Sequence, residues 1–405
     1  MEQALSDVKV LDLTRYIAGP YCTKLLASYG ADVVKVERPG KGDPARRLGP
    51  FLEDDPHPDK SGLFLHLNTG KRGVTLNLQS ETGKKIFREL VAGVDILVEN
   101  FSPRVMPSLG LEYEKLEKIN PRLVMTSISN FGQTGPYRDF KASELILYGM
   151  GGAMNNTGTM DRYPLKKGGT VIQHQAGTIA AMATMLALFG NRAQGIGQHV
   201  DVSIFQTQMA TIDRRMSQLL TYQYNGEISY RMDTREEERP GLALGIWPCK
   251  DGFFELAGTP AFWPRICQML DRPDLVDDPG LSTLEGRREP ENVERFNLIW
   301  YPWITEHTKK EIIEAGQAAG VLCGPINTTE DLLNDSHWKV REFWTEVDHP
   351  VAGKLNYPGA PFKMAETPWQ VSRPAPLLGQ HNEEVYGELG YSREDLVRLR
   401  EGGII

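Results

Sequence analysis

The stretch "VKVLDLTRYIAGPYCTKLLASYGADVVKVE", Val8–Glu37, decides the fold. Its apolar opening, Val8–Thr14, reads as a strand, Gly19-Pro20 as a turn, and the small and apolar residues that follow as a helix stopped by Gly30. The β-branched run Ala31–Glu37 reads as a second strand. Strand, helix and strand in this order form a βαβ unit, whose two strands are parallel.

Outward from it the alternation continues. "GVTLNL" (Gly73–Leu78), "VDILVENF" (Val94–Phe101) and "RLVMTSISNFG" (Arg122–Gly132) read as strands, and Ser80–Gly93 and Glu112–Asn120 as helices between them. The class is therefore α/β, a parallel sheet covered by helices on both faces, with ligands expected beyond the carboxyl ends of its strands. "KKGGTVIQHQAGTIAAMATMLALF" (Lys166–Phe189) reads as a glycine turn, a short apolar strand and a long helix of small residues. Gln173, His174 and Gln175 then stand where strand hands over to helix. A strand and a second long helix are expected over Gln198–Leu220. The charged segment Asn225–Arg239 has the composition of a linker. Beyond it, "GIWPCKDGFFELAG" (Gly245–Gly258) is a strand-turn-strand signal followed by helices to about Ala319, and the final helices begin near Asn382 and Arg393.

A chain of 405 residues exceeds what one core usually organises, so two domains are expected. With 45 basic against 53 acidic residues the net charge is −8, which disfavours a nucleic-acid partner. No charged-then-apolar leader opens the sequence and no unbroken apolar run reaches the roughly 18 residues of a membrane span, so no membrane partner and a cytoplasmic location are expected. Cys22, Cys249, Cys267 and Cys323 lack metal-ligand spacing and read as buried, reduced thiols.

Five stretches, in order, resemble the family III CoA-transferases: Asp12–Asp43, "LNTGKRGVTLNL" (Leu67–Leu78), "DILVENFSPRVMPSLGL" (Asp95–Leu111), "SISNFGQTGPY" (Ser127–Tyr137) and "PLLGQHNEEVYGELGYS" (Pro376–Ser392). The resemblance implies a large Rossmann-like domain built from both chain ends (1–224 and 326–405), a smaller inserted α+β domain (225–325) and an interlocked dimer. It also implies coenzyme A or an acyl-CoA as substrate, with no metal and no prosthetic group. Tyr16, Ile17 and Ala18 match positions facing the thioester, and Arg38 a position on the CoA phosphates. Leu76, Asn100 and Phe101 match positions near the adenine and the pantetheine arm; Arg104 stands upstream of the family's arginine position as a further contact, and in the loop "GQTGPYRD" Arg138 or Lys141 is suited to steer an anionic acid or a phosphate. Two departures stand out: Ser108 occupies a position where family members commonly carry arginine, and Gln79 one where some carry lysine. His199 and His381 read as structural, with Gln380 or His381 as the cap of the helix that follows.

Members of this family work through one aspartate, four residues before the glycine of the small-residue helix. Counting back from Gly177 gives Gln173. A carboxamide is a very poor nucleophile, so no catalytic residue is expected on this chain. The resemblance then implies a subunit of a hetero-oligomer (heterodimer or heterotetramer), most like the non-catalytic chain of a two-subunit succinyl-CoA:benzylsuccinate CoA-transferase. Its partner would be a homologous chain bearing the aspartate, and its substrates an acyl-CoA and a carboxylic acid. The alternative is a stand-alone acyl-CoA racemase, isomerase or lyase using His174, Glu144 or Asp161.

Overall fold

The computed structural model describes residues 3–210, 213–228, 230–231 and 242–405. In the first half of the chain the elements are β1 (Lys9–Asp12), α1 (Ala18–Ser28), β2 (Asp32–Glu37), α2 (Gly62–Leu67), β3 (Lys71–Thr75), α3 (Glu81–Ala92), β4 (Ile96–Glu99), α4 (Val105–Leu109), α5 (Tyr113–Leu116) and β5 (Val124–Ser129). There follow α6 (Glu144–Met150), α7 (Val171–Gln194), β6 (Gln198–Ser203), α8 (Ile204–Ala210) and α9 (Asp213–Asn225). β1 to β6 form one parallel sheet in the order β3-β2-β1-β4-β5-β6.

Both faces of this sheet are covered, which is why its central strands carry apolar residues on both sides. Val10, Val33, Val98 and Val124 pack on one side with α1 and α7, while their neighbours Leu11, Val34, Leu97 and Met125 pack on the other with α3. Each fully buried residue of this size stabilises the fold by about 1.5–3 kcal/mol relative to exposure.

The described chain also comprises β7 (Gly245–Cys249), β8 (Gly252–Ala257), α10 (Trp263–Met269), α11 (Pro290–Glu306), α12 (Lys309–Ala318), β9 (Leu322–Pro325), α13 (Thr329–Asn334) and α14 (Ser336–Val340). It ends with the β10 (Trp344–His349) and β11 (Gly353–Pro358) hairpin, α15 (Asn382–Glu388) and α16 (Arg393–Glu401). The last two helices join the face of the sheet that α3 covers, through Val385, Tyr386 and Leu396. Tyr386 donates to the Thr75 carbonyl oxygen (2.7 Å) and Asn382 Oδ1 accepts from the Thr75 N–H (2.9 Å). His381 does not cap α15: its Nδ1 accepts the Gly73 N–H at 2.9 Å, while Gln380 Oε1 takes the Leu377 N–H. His199 Nε2 meets Ser127 Oγ at 2.9 Å.

Contacts divide the chain into two compact units, one of Met1–Gly158, Pro164–Tyr230 and Glu342–Ile405, the other of Thr159–Tyr163 and Arg231–Arg341. The second carries the antiparallel sheet β7-β8-β9 and its own aromatic core around Trp300, Phe296 and Phe254. Much of the expected linker, Asn225–Arg239, lies outside the described residues.

Two further expectations differ from the structure. No strand precedes α7; the helix begins at Val171 and takes in Gln173, His174 and Gln175. Three β-branched residues, Thr170–Ile172, look extended in isolation, but a helix already propagating through Ala176–Ala187 adds a turn at little cost, and the Glu144 carboxylate accepts the Ile172 N–H (3.1 Å). Of the four free thiols, Cys22 and Cys267 are buried, whereas Cys249 and Cys323 are only partly so. By length and composition α7 could cross a membrane. Its buried stripe, including Ile172, Ala176, Ala180 and Leu188, packs into the core beside α1.

Candidate functional site

The strand order reverses between β1 and β4, so the loops that leave their carboxyl ends part and leave a crevice. Asn100, just after β4, bridges the two loops. Its Oδ1 accepts the Arg15 N–H (2.9 Å) and its Nδ2 donates to the Arg15 carbonyl oxygen (2.8 Å). The next residue, Tyr16, has φ 76°, a left-handed conformation that costs a non-glycine residue about 1–2 kcal/mol. Asp43 holds it there by accepting the Tyr16 N–H at 3.0 Å. Ile17 and Ala18 then open α1.

Beneath this loop lies a buried ionic network. Asp12 takes bonds from Thr14, Thr23 and Lys71. Burial opposes its ionisation, but Lys71 and Lys35, with the two hydroxyls, outweigh that and hold the carboxyl at about 2. Lys35 faces Asp43 at 3.0 Å, and Arg46 grips Glu37 through two bonds of 2.7 and 2.8 Å while its guanidinium lies 3.7 Å from the centre of the Phe64 ring. The acids at the carboxyl end of β2 are thereby neutralised from below.

Above the network a cavity of about 500 Å³ opens beyond β1, β2 and β3. Leu13, Val36, Leu76 and Phe101 give it apolar walls, and Arg15, Arg38, Lys41 and Arg47 give it four cations. Of the residues read from the sequence, Arg38, Leu76 and Phe101 line this cavity and Asn100 fastens its edge. Gln79 and Ser108 line it as well. Arg104 points elsewhere, bound to Asp139 by bonds of 2.8 and 2.7 Å on the surface, and Arg138 lies 3.8 Å from the same carboxylate. Arg15, Lys41 and Arg47 were not singled out in the sequence. The glycine-flanked "GKGDPARR" turn was the signal available for the last two.

A second group gathers at the start of α7. A β-carbon placed on Gly177 would stand 2.5 Å from the Ala18 carbonyl oxygen, so glycine there lets α7 lie against the start of α1. Gln173, one turn earlier, is half buried in the first turn of α7. His174 is its helical neighbour and does not sit on an opposite strand face, as a strand at this place would require. Its Nδ1 lies 3.0 Å from the Thr170 carbonyl oxygen and its ring meets Tyr21 edge-on at 5.0 Å. Burial raises the Glu144 pKa, opposed by the Ile172 and Gln173 N–H groups and by Lys166 at 3.8 Å. Its second oxygen, Oε2, is closed off from solvent, with no hydrogen-bond partner among the described residues. Asp161, exposed and 3.9 Å from Arg162, belongs to the other compact unit. Among the described residues no group of three or more His, Cys, Asp or Glu side chains could hold a metal ion.

The model of CoA-transferase family III matches residues 5–382. Over its whole length the chain is 35% identical to a formyl-CoA:oxalate CoA-transferase of Streptomyces avermitilis, itself covered completely. It is 34% identical to a succinyl-CoA–D-citramalate CoA-transferase of Chloroflexus aurantiacus (99% of this chain, 98% of the relative). To the subunit BbsE of succinyl-CoA:(R)-benzylsuccinate CoA-transferase from Thauera aromatica it is 31% identical, over 100% of this chain and 99% of the relative. A solved CAIB/BAIF family protein from Brucella suis superposes with a TM-score of 0.83 at 28% identity, over 96% of this chain and all of the other.

Proposed function

Because the chain belongs to CoA-transferase family III, we propose that it is the component of a hetero-oligomeric CoA-transferase that lacks the nucleophile and works beside an aspartate-bearing paralogue. The observation that carries this reading is Gln173 in the first turn of α7, at the position the family pattern gives to aspartate.

Transfer between a CoA thioester and an acid needs a carboxylate whose oxygen attacks the thioester carbon. The carbon–sulfur bond breaks and the CoA thiolate leaves, then attacks the enzyme-bound carboxyl in turn, releasing the first acid; the acceptor acid displaces CoA to form a second anhydride, whose acceptor carbon the thiolate finally attacks, giving the new thioester and freeing the enzyme carboxylate. The Gln173 amide has no such oxygen to offer, since its nitrogen lone pair is delocalised and its oxygen carries no charge. Glu144, whose carboxylate accepts the Ile172 N–H, is engaged in capping α7.

The chain's own contribution is binding. The cavity beyond β1–β3 suits a nucleotide by its apolar walls and cationic rim. The strained Tyr16 loop opens a helix, and the unpaired N–H groups there favour a thioester oxygen. An interlocked pairing is part of the same reading, with the exposed Met182, Leu186 and Phe189 of α7 as surface for the second chain. So is a cytoplasmic location.

The test is co-expression. Alone, the chain should fail to move CoA from succinyl-CoA to benzylsuccinate, citramalate or glutarate; with an aspartate-bearing paralogue from the same genome, transfer should appear. Full activity of the chain by itself sinks the reading. In the Gln173→Asp variant, an acyl adduct that hydroxylamine removes should become visible by mass spectrometry.

A further inference from the structure

The cations at the rim of the cavity differ from those buried beneath it in one respect. Most arginines and lysines of the described chain that bear on the sheet are neutralised: Lys35 by Asp43, Arg46 by Glu37 and Asp59, Lys71 by Asp12, Arg72 by Asp32, Glu384 and Glu388. Arg38, Lys41 and Arg47 instead line the cavity, and among the described residues none of them forms an ion pair. The two positions beside them that could have been charged are the neutral Gln79 and Ser108.

The backbone after β2 explains how these cations come together. Gly40 (φ 67°) and Gly42 (φ 63°) turn the chain back, closed by the Gly42 N–H on the Arg38 carbonyl oxygen at 2.9 Å. Asp43 then caps the short helical turn Pro44–Arg47 by accepting the Ala45 N–H (2.9 Å). That turn sends two adjacent arginines in opposite directions, Arg46 inward to Glu37 and Arg47 outward, where its Nη1 donates to the Lys41 carbonyl oxygen at 2.6 Å. Lys41 and Arg47 therefore form a tied, outward-facing pair on the β2 side of the cavity. Arg15, in contrast, belongs to the β1 loop, beside the Tyr16 turn and 5.3 Å from the centre of the Phe101 ring.

We infer that Lys41 and Arg47 select the 3′-phosphate of the coenzyme, in place of the cations absent at positions 79 and 108. This rests on the reading of the cavity as a CoA site. With the thioester at Tyr16–Ala18, an extended ligand runs from the β1 loop towards β2 and β3, so Arg15 meets its diphosphate first. The ribose end, with its own dianionic phosphate, then reaches the Lys41–Arg47 turn. A guanidinium and an ammonium on one turn match a phosphate monoester by charge and by donor geometry.

The experiment is isothermal titration of the full chain, in the oligomer it forms, with CoA and with 3′-dephospho-CoA. The substitutions are carried on this chain only, so a partner's own sites stay unchanged within the same isotherm. For this chain's sites CoA should bind about tenfold to a hundredfold more tightly than 3′-dephospho-CoA. In the Lys41→Ala/Arg47→Ala variant that ratio should fall towards one, with 3′-dephospho-CoA binding unchanged, and Arg47→Lys should restore part of it. A ratio that persists in the double variant overturns the inference while leaving the cavity a CoA site. Absence of any CoA binding attributable to this chain overturns the reading of the cavity and the inference with it.

Discussion

Gly177 of α7 and Ala18 of α1 are so close that a β-carbon on the former would lie 2.5 Å from the carbonyl oxygen of the latter. This contact sets where the start of α7, and with it Gln173, stands relative to the Tyr16–Ala18 loop. Because the opposing atom is backbone, no rotamer change relieves a clash. Gly177→Ala should therefore cost about 1–3 kcal/mol, read as a lowered unfolding midpoint in urea. A variant with the wild-type midpoint would show that the two helices can separate freely.

Asp43 supports the strained Tyr16 and balances Lys35 at once. Asp43→Asn keeps the shape but removes the carboxylate charge 3.0 Å from the buried Lys35 ammonium. The expected loss is about 3 kcal/mol, the low end for such a change, because the Thr14 carbonyl oxygen still accepts from Lys35 at 2.8 Å. Adding Lys35→Met should recover part of the loss in the same denaturation assay. No recovery would assign the whole effect to the Tyr16 loop.

Glu99 ends β4 beside the switch point. Burial raises its pKa to about 7, opposed by bonds from Ser127 and the Phe101 N–H. The folded value lies above the unfolded one, near 4.5, so the stability it contributes is complete below pH 4.5 and is lost as pH rises through about 7. The difference amounts to about 3 kcal/mol by pH 8. Glu99→Gln, which still accepts from Phe101, should flatten the profile and leave the variant more stable than wild type at pH 8. Parallel pH profiles of unfolding would contradict this.

Arg38 and Arg104 were both assigned to the coenzyme from the sequence, but they stand differently. Arg38 faces the cavity, whereas Arg104 is bound to Asp139 on the surface. Arg38→Ala should weaken CoA binding about tenfold, and Arg104→Ala should leave it within twofold, an exposed ion pair being worth at most about 1 kcal/mol. Equal losses would mean that the Arg104–Asp139 pair opens when ligand arrives.

Much of the framework was legible because both faces of the sheet are buried. Apolar runs such as Val8–Leu13, Val33–Val36 and Val94–Val98 announce central parallel strands, and Gly30 and Ser80 mark a helix end and a helix start. The Gly245–Gly258 hairpin and the helices at Asn382 and Arg393 were equally plain, since each is set by neighbours in the chain. The start of α7 was misread because Thr170–Ile172 carries a local β signal. What overrides it is a carboxylate from Glu144, remote in sequence, which takes up a helix N–H.

From the order of its residues alone, this chain is committed to a parallel α/β sheet, to the family pattern around its βαβ opening, and to an amide where a nucleophilic carboxylate is expected. These follow from periodicity and from the chemistry of single side chains. Only the folded chain decides that Arg46 turns inward while Arg47 turns outward, that Lys35 and Lys71 lie buried against acids, and that Arg104 leaves the cavity for Asp139. The fate of a long charged side chain depends on which opposite charge the topology brings within about 4 Å of it, and that distance is unrelated to separation along the sequence.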